Sequence, residues 1–371
     1  MKLEQFVMER MQSTWENIVK FNLSESGVHP VALGELVPSA AGREELLTLE
    51  LGYGQSNGTA DLRNTIAEMY QGADDSNVLV TTGTSEANFL ATWSIVEPGD
   101  EVIMILPNYM QTWGVARGFG GQIKEVPLIE EMNWAPDLDE FESLLSSKTK
   151  LIIVCNPNNP TGAILTEAEM DRITEGARRV GAWLLADEVY RGAERERPIT
   201  PSFWGRYEKV IVTAGLSKAY GLPGLRIGWI VGPSEIVTKA WSYHDYTTIG
   251  PSALSDRLAR VALAPDNRRK LLARTREILN NNFPVLRKWV DSYGGMFSVV
   301  EPQAGAIAYL RYDLDMESLD FVERLRDQKS VLLVPGEHFH MKNYLRVGFG
   351  SQPEHLREAL ELISSFVSDL P

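Results

Sequence analysis

Between about residues 49 and 261 the chain alternates short apolar runs with longer stretches that carry helical patterns. The runs fall at 78–81, 102–106, 151–155, 183–186 and 210–213. Most are rich in β-branched residues and apolar at successive positions, as expected of strands covered on both faces. The stretch 166–180, rich in Glu, Arg and Ala, carries a helical pattern between two of them. Such alternation predicts a mostly parallel sheet flanked by helices. After about residue 265 the pattern changes. Residues 267–293 read as a long charged helix broken near Pro284, and 296–310 as strands around a turn at Gly305. Residues 319–328 read as a helix, 331–334 as a strand and 353–366 as a final helix. The predicted organisation is a large α/β domain over 46–265 and a smaller α+β domain formed by 1–45 with 266–371.

Ligands of such open sheets gather beyond the carboxyl ends of the strands. The polar residues of this chain stand at those ends. Gly83-Thr84-Ser85 follows the first run, Pro107-Asn108-Tyr109 the second, and 156–162 the third. Asp187 follows the fourth and a loop holding Lys218 the fifth. Together they aim polar groups at one edge of the sheet.

Composition narrows the class. At 371 residues and 44% hydrophobic, the chain is long enough for two domains with a substantial core. A net charge of −14 argues against nucleic acid or an anionic membrane as partner. The single Cys155 excludes an intrachain disulfide framework and fits a reducing, cytoplasmic compartment. The first residues, Met1 to Phe6, lack the apolar core of a signal peptide, and no stretch approaches a membrane helix. His338-Phe339-His340 has spacing that suits a metal, but no Cys or carboxylate cluster accompanies it, so no metal is expected.

The densest signal is Gly215-Leu216-Ser217-Lys218-Ala219-Tyr220-Gly221-Leu222-Pro223-Gly224-Leu225-Arg226. A lysine at a strand end, eight residues before an arginine in a glycine-rich turn, suits an amine that attacks a carbonyl near a phosphate. Lysine forms Schiff bases with carbonyl cofactors, and arginine holds phosphate. The run resembles the cofactor-lysine segment of the class I/II aminotransferases, fold-type-I enzymes dependent on pyridoxal 5′-phosphate. Further elements occur in that family's order: Gly83-Thr84-Ser85, Asn159-Pro160-Thr161-Gly162, Asp187-Glu188-Val189-Tyr190 and Tyr344-Leu345-Arg346.

The resemblance implies a three-layer fold and a set of roles. Lys218 binds the cofactor aldehyde and moves the α-proton of the substrate. Asp187 keeps the pyridine nitrogen protonated, which makes the ring an electron sink. Tyr190 and Asn159 donate to the phenolate oxygen. Thr84, Ser85, Ser217 and Arg226 hold the phosphate at a helix amino terminus. Tyr109 stacks on the ring, and Arg346 grips the substrate carboxylate with its planar fork. Tyr53 reaches a partner's phosphate, which implies a homodimer with shared sites. Each residue also has a plainer reading: Asp187 as a helix cap, Tyr109 as a core tyrosine, Arg346 as a surface ion pair. One position departs from the pattern. Many members carry Ser or Thr three residues before the lysine, where this chain has Gly215.

The amino terminus resembles a narrower group. Ser24-Glu25-Ser26-Gly27-Val28-His29-Pro30 and Gly34-Glu35-Leu36 are similar to the opening of capreomycidine synthase, which closes a ring on an arginine derivative. His29 is then either a contact to the substrate side chain or to a departing group, or a hydrogen-bonded loop histidine. The expected activity is transfer of the α-amino group of an L-amino acid to a 2-oxo acid. Cyclisation, elimination or oxidation of an arginine-like amino acid is the alternative. A catalytically silent regulator of the same fold is a third reading, opposed by the intact Lys218, Asp187 and Arg226.

Overall fold

The computed structural model describes residues 2–370. Strand β1 (Phe21–Asn22) lies apart from the main sheet. The main sheet is eight-stranded, built from β2 (Val78–Thr81), β3 (Glu101–Leu106), β4 (Gln122–Ile129), β5 (Ala135–Pro136), β6 (Thr149–Cys155), β7 (Trp183–Asp187), β8 (Val210–Gly215) and β9 (Gly228–Val231). Their order is β2-β9-β8-β7-β6-β3-β4-β5. The pairs from β8 through β7, β6 and β3 to β4 are parallel. β9 runs antiparallel to both β8 and β2, so β2 points the same way as β8. Every apolar run read from the sequence therefore ends at the same edge.

The sheet is covered on both sides. Ile103, Ile152, Val154, Leu184 and Val212 pack into one core, and Val102, Met104, Leu151, Leu185 and Ile211 into the other. The helix Glu167–Val180 presses Met170, Ile173 and Ala177 onto the first face. The helix Thr84–Ile95 presses Ala87, Leu90 and Ala91 onto the second. Full burial of one such aliphatic side chain contributes about 1.5–3 kcal/mol. The result is the helix–sheet–helix, three-layer α/β architecture that the alternation predicted.

The carboxyl-terminal part forms a second sheet from β10 (Phe297–Val299), β11 (Ile307–Tyr312), β13 (Val334–Pro335) and β14 (Tyr344–Gly348), in the order β10-β11-β14-β13. The expected single strand at 331–334 is in fact two. β12 (Val331–Leu332) pairs in parallel with β1, and β13 pairs antiparallel with β14. Pro335 has no N–H to give, and β13 accordingly lies at the sheet edge. The expected break at Pro284 is absent: one helix runs Pro265–Asp291. Pro284 and Asn280, whose carbonyl loses its usual donor, both lie on the exposed face, while Leu279, Phe283, Leu286 and Val290 anchor the buried stripe. Among the described residues no helix is long and apolar enough to cross a membrane.

Candidate active site

The carboxyl edge of the large sheet opens into a cavity of about 330 Å³. Lys218, Asp187, Tyr190, Thr84, Ser85, Tyr109, Asn159, Ser217, Arg226 and Arg346 all line it. Two of the residues read from the sequence do not. Tyr53 is fully exposed, away from the cavity of its own chain. His29 lies outside it, with Nδ1 2.7 Å from Arg274 Nη2 and 3.3 Å from Gln352 Nε2. Burial first, and the Arg274 charge second, hold His29 below the usual histidine range.

Asp187 ends β7 and is 8% exposed. Its Oδ2 accepts from Asn88 Nδ2 at 2.9 Å and its Oδ1 from the Val189 N–H at 3.0 Å. Asn88 is itself held by Thr213, whose hydroxyl donates to Asn88 Oδ1 at 2.6 Å. Burial raises the Asp187 carboxyl above its ordinary value, and these hydrogen bonds and Lys218 pull against it. A buried carboxylate in that state gains from a cationic partner.

The helix Thr84–Ile95 starts at this edge after Gly83, whose φ is 83°. That conformation suits glycine. A Cβ on Gly83 would collide with Nη2 of Arg226, and one on Gly228 would collide with the Gly83–Thr84 peptide. Thr84 Oγ1 is buried without a hydrogen-bond partner among the described residues. Arg226 has no carboxylate partner among the described residues; its Nη1 donates only to the Pro223 carbonyl at 3.1 Å. Free helix N–H groups, a guanidinium bonded to only one carbonyl and backbone stripped of side chains make a cradle for an anion.

The same packing accounts for Gly215. A Cβ there would lie 2.5 Å from Thr84 Oγ1 and 2.8 Å from the Ile227 carbonyl. The threonine hydroxyl occupies the space that a residue-215 side chain would need.

Arg346, on β14, is 1% exposed. Its Nη2 donates to the Ser24 carbonyl at 2.6 Å and its Nη1 to Asn159 Oδ1 at 3.0 Å, while Nε has no partner. Burial lowers the proton affinity of Arg346 despite nearby Tyr190 and Glu25. With Oδ1 taken by Arg346, Asn159 has its amide NH2 available as a donor. Tyr190 is 2% exposed, and burial first pushes its hydroxyl up to about 12. Such a phenol is a donor at neutral pH.

Sequence reading missed one whole wall. The helix Val7–Trp15 and the residue that caps it bring Met8, Glu9, Gln12 and Glu16 to the cavity, followed by Glu25 and Ser26. The spacing of Glu9, Gln12 and Glu16 places them on one helical face, a signal present in the sequence but indistinguishable there from a solvated face. Tyr109 donates to Glu9 Oε1 at 2.8 Å. Glu25 Oε1 lies 2.6 Å from Lys218 Nζ. Asn88 and Cys155 also line the cavity.

These residues fit pyridoxal 5′-phosphate. The orphaned Thr84 hydroxyl and the glycine cradle suit its phosphate, the buried Asp187 its ring nitrogen, and Lys218 its aldehyde. The sequence pattern described as aminotransferase class I and II matches residues 36–363. Capreomycidine synthase of Streptomyces vinaceus is 33% identical over 348 residues, covering 93% of this chain and 89% of that protein. An aspartate aminotransferase of Thermotoga maritima is 29% identical over 326 residues, covering 86% of this chain and 84% of that one. Among solved structures, a PLP-dependent aminotransferase of Streptococcus suis superposes with a TM-score of 0.94 at 32% identity, over 100% of this chain and 99% of that one. The PLP-dependent cyclase OrfR superposes with a TM-score of 0.90 at 26% identity, over 100% and 98%. The chain thus belongs to the class I and II aminotransferases, fold-type-I enzymes whose cofactor is pyridoxal 5′-phosphate.

Proposed function

We propose that the protein transfers the α-amino group of an L-amino acid to a 2-oxo acid, with Lys218 as the base at the α-carbon. The observation that carries this reading is the convergence on one cavity of Lys218, Asp187, Arg226 and Arg346, the last without a carboxylate partner among the described residues. Bound pyridoxal phosphate supplies an aldehyde for the amine of Lys218 or of the substrate, and a ring that accepts the electrons of the α-carbon. The protein residues do the rest. Arg226, Ser217 and the amino end of the Thr84 helix hold the phosphate. Asp187 keeps the positive charge at the ring nitrogen. Asn159 and Tyr190 would donate to the ring oxygen, and Tyr109 would pack against the ring. Arg346 takes the substrate carboxylate in two parallel hydrogen bonds. Lys218, as a neutral amine, takes the proton from the α-carbon.

A second reading is favoured by the charges of the cavity. Set phosphate against Arg226, ring nitrogen against Asp187 and carboxylate against Arg346, and Glu9 and Glu16 remain without a cation among the described residues. Burial first, then the like charges of Glu25 and Glu9, raise the Glu16 carboxyl above its ordinary value. A substrate with a guanidinium or ammonium side chain would relieve that repulsion. This supports an arginine-like substrate, and with it the cyclase, lyase or oxidase chemistry of the capreomycidine-synthase type.

We also read the active unit as a homodimer in the cytoplasm. The fully exposed Tyr53 follows exposed Leu47 and Leu51 in the chain, surface that a second copy would cover. The two larger sheets, confined to 78–231 and 297–348, and the β1–β12 pair, which joins 21–22 to 331–332, support a large domain at 46–265 and a small one from the remainder.

The test is an absorbance screen of amino acids against the cofactor-loaded protein, scored for keto acid, ammonia and peroxide. Transamination gives keto acid together with amination of an added 2-oxo acid. Ammonia or peroxide without amination establishes the second reading. A Lys218→Ala protein should be silent in every assay, and activity in it overturns both.

A further inference from the structure

Glu25 reaches the cavity on a segment that is locked in place. Leu23 donates its N–H to the Leu332 carbonyl at 2.9 Å and accepts from the Gly348 N–H at 2.7 Å. His29 donates its N–H to the Gly350 carbonyl at 2.7 Å, and Val31 to Gly221 at 3.0 Å. A Cβ on Gly348 would collide with the Glu25 carbonyl, and one on Gly350 with the Gly27 carbonyl, so the segment lies flush on the end of β14. The Ser24 carbonyl is further held by Gln12 Nε2 at 2.9 Å and by Arg346.

The Glu25 side chain is fixed as firmly. Its Oε1 accepts from the Ser26 N–H at 2.8 Å, the Gly27 N–H at 2.9 Å and Lys218 Nζ at 2.6 Å. Donors from two directions on one oxygen leave the carboxylate a single orientation. A Cβ on Gly27 would lie 3.3 Å from the Ser217 carbonyl and 3.5 Å from Lys218 Cδ. The segment thus lies in close contact with the Ser217–Lys218 backbone and side chain.

A lysine acts as nucleophile or base only when neutral, and burial alone favours that form. Here burial is the largest single influence and Arg346 acts with it, but the Glu25 charge, Tyr190 and the Glu25 hydrogen bond together outweigh them, so Lys218 holds its proton more tightly than an ordinary lysine. The Lys218 charge in turn holds Glu25 down to about 2 against its burial. Asp187 and Glu16 also face this amine.

Resting on the reading of Lys218 as the cofactor lysine, we propose that Glu25 is its positioning carboxylate. It fixes the amine in the cavity through the short Oε1–Nζ contact and governs when that amine gives up its proton. The proton leaves to water, and no other bond changes.

The test uses the full chain, freed of cofactor, as wild type, Glu25→Gln and Glu25→Asp. Schiff-base formation with added pyridoxal 5′-phosphate is followed by absorbance across pH. The titration of the cofactor itself is common to all three proteins and cancels. Loss of the carboxylate should make the amine neutral at lower pH. The Gln variant should therefore capture cofactor at least about tenfold faster at a pH below both midpoints, a shift of one unit. The Asp variant should fall between it and the wild type. Unchanged profiles in a folded Gln variant overturn the proposal. Independently of cofactor, reductive 13C-methylation and NMR, with the signal assigned by its absence in Lys218→Ala, should show wild-type Lys218 titrating above the ordinary value of about 10.4. A midpoint at or below that value overturns the proposal even if the Gln variant does not fold. A raised midpoint without cofactor capture upholds the Glu25–Lys218 pairing and sinks the assigned function instead.

Discussion

The carboxyl edge of the large sheet and the amino-terminal segment that walls the cavity meet the same space by different routes. The edge is made largely of strand–turn–helix units, where Thr84, Ser85, Tyr109, Asn159, Asp187, Tyr190, Ser217 and Lys218 follow an apolar run by one to five positions and Arg226 stands further on, before β9. Asp187 and Asn159 are thereby placed by the backbone hydrogen bonding of parallel strands, and Thr84 by that of the antiparallel β2–β9 pair. The amino-terminal wall has no such frame. It is a nine-residue helix and an extended segment, positioned by contacts to residues more than 300 positions away, such as Leu332, Gly348 and Gly350. The edge holds groups suited to the cofactor. The wall adds Glu9, Glu16 and Glu25, groups suited to the substrate side chain and to the charge of Lys218. The comparison teaches that one cavity can draw its chemistry from a rigid sheet and its selectivity from a separately anchored cover.

Substitution on each side sharpens the contrast. The largest effect is expected at the edge. Asp187→Ala should leave the cofactor bound through the phosphate cradle but lower kcat by at least roughly 10²-fold, about 2.7 kcal/mol of transition-state stabilisation. Steady-state kinetics with spectra of the bound cofactor check this, and normal turnover would make Asp187 structural.

A smaller effect is expected in the wall. Glu16→Gln should raise KM for an amino acid with a cationic side chain about tenfold and leave that for a neutral one unchanged, with kcat within a few-fold. The sign on stability is also set. A carboxyl whose folded value is raised costs stability above that value. Removing it should therefore not lower Tm at neutral pH, and a melt at pH 7 checks this. Equal losses for cationic and neutral substrates would break the distinction between edge and wall.

The smallest effect is expected at His29. Its ring contacts Arg274 and Gln352 and lies outside the cavity. His29→Ala should keep product output within about fivefold, under about 1 kcal/mol. Loss of product with substrate binding intact would return His29 to the chemistry that its neighbours in sequence suggested.

Much of the edge was legible in the sequence because its signals are local. An apolar run followed within a few residues by Gly83-Thr84-Ser85, by Asp187 or by Ser217-Lys218 states both the element and the side chain that ends it. The wall was not legible for a matching reason. Glu9, Gln12 and Glu16 at helical spacing look the same whether they face water or a cavity. Asn88 was likewise hidden within the helix that begins at Thr84, where nothing local shows that its amide reaches Asp187 on a different strand.

By itself the sequence determined the three-layer α/β class, the common edge at which the strands end, and most residues gathered there, because period and punctuation act within ten residues along the chain. Only the tertiary structure decided that the 331–334 run divides between two sheets, that the Pro265–Asp291 helix passes unbroken through Pro284, and that Thr84 fills the space above Gly215. It alone decided that Glu25 closes on Lys218 across 193 positions. Each of these depends on which distant backbone lies alongside, and that is fixed by the packing of the whole core.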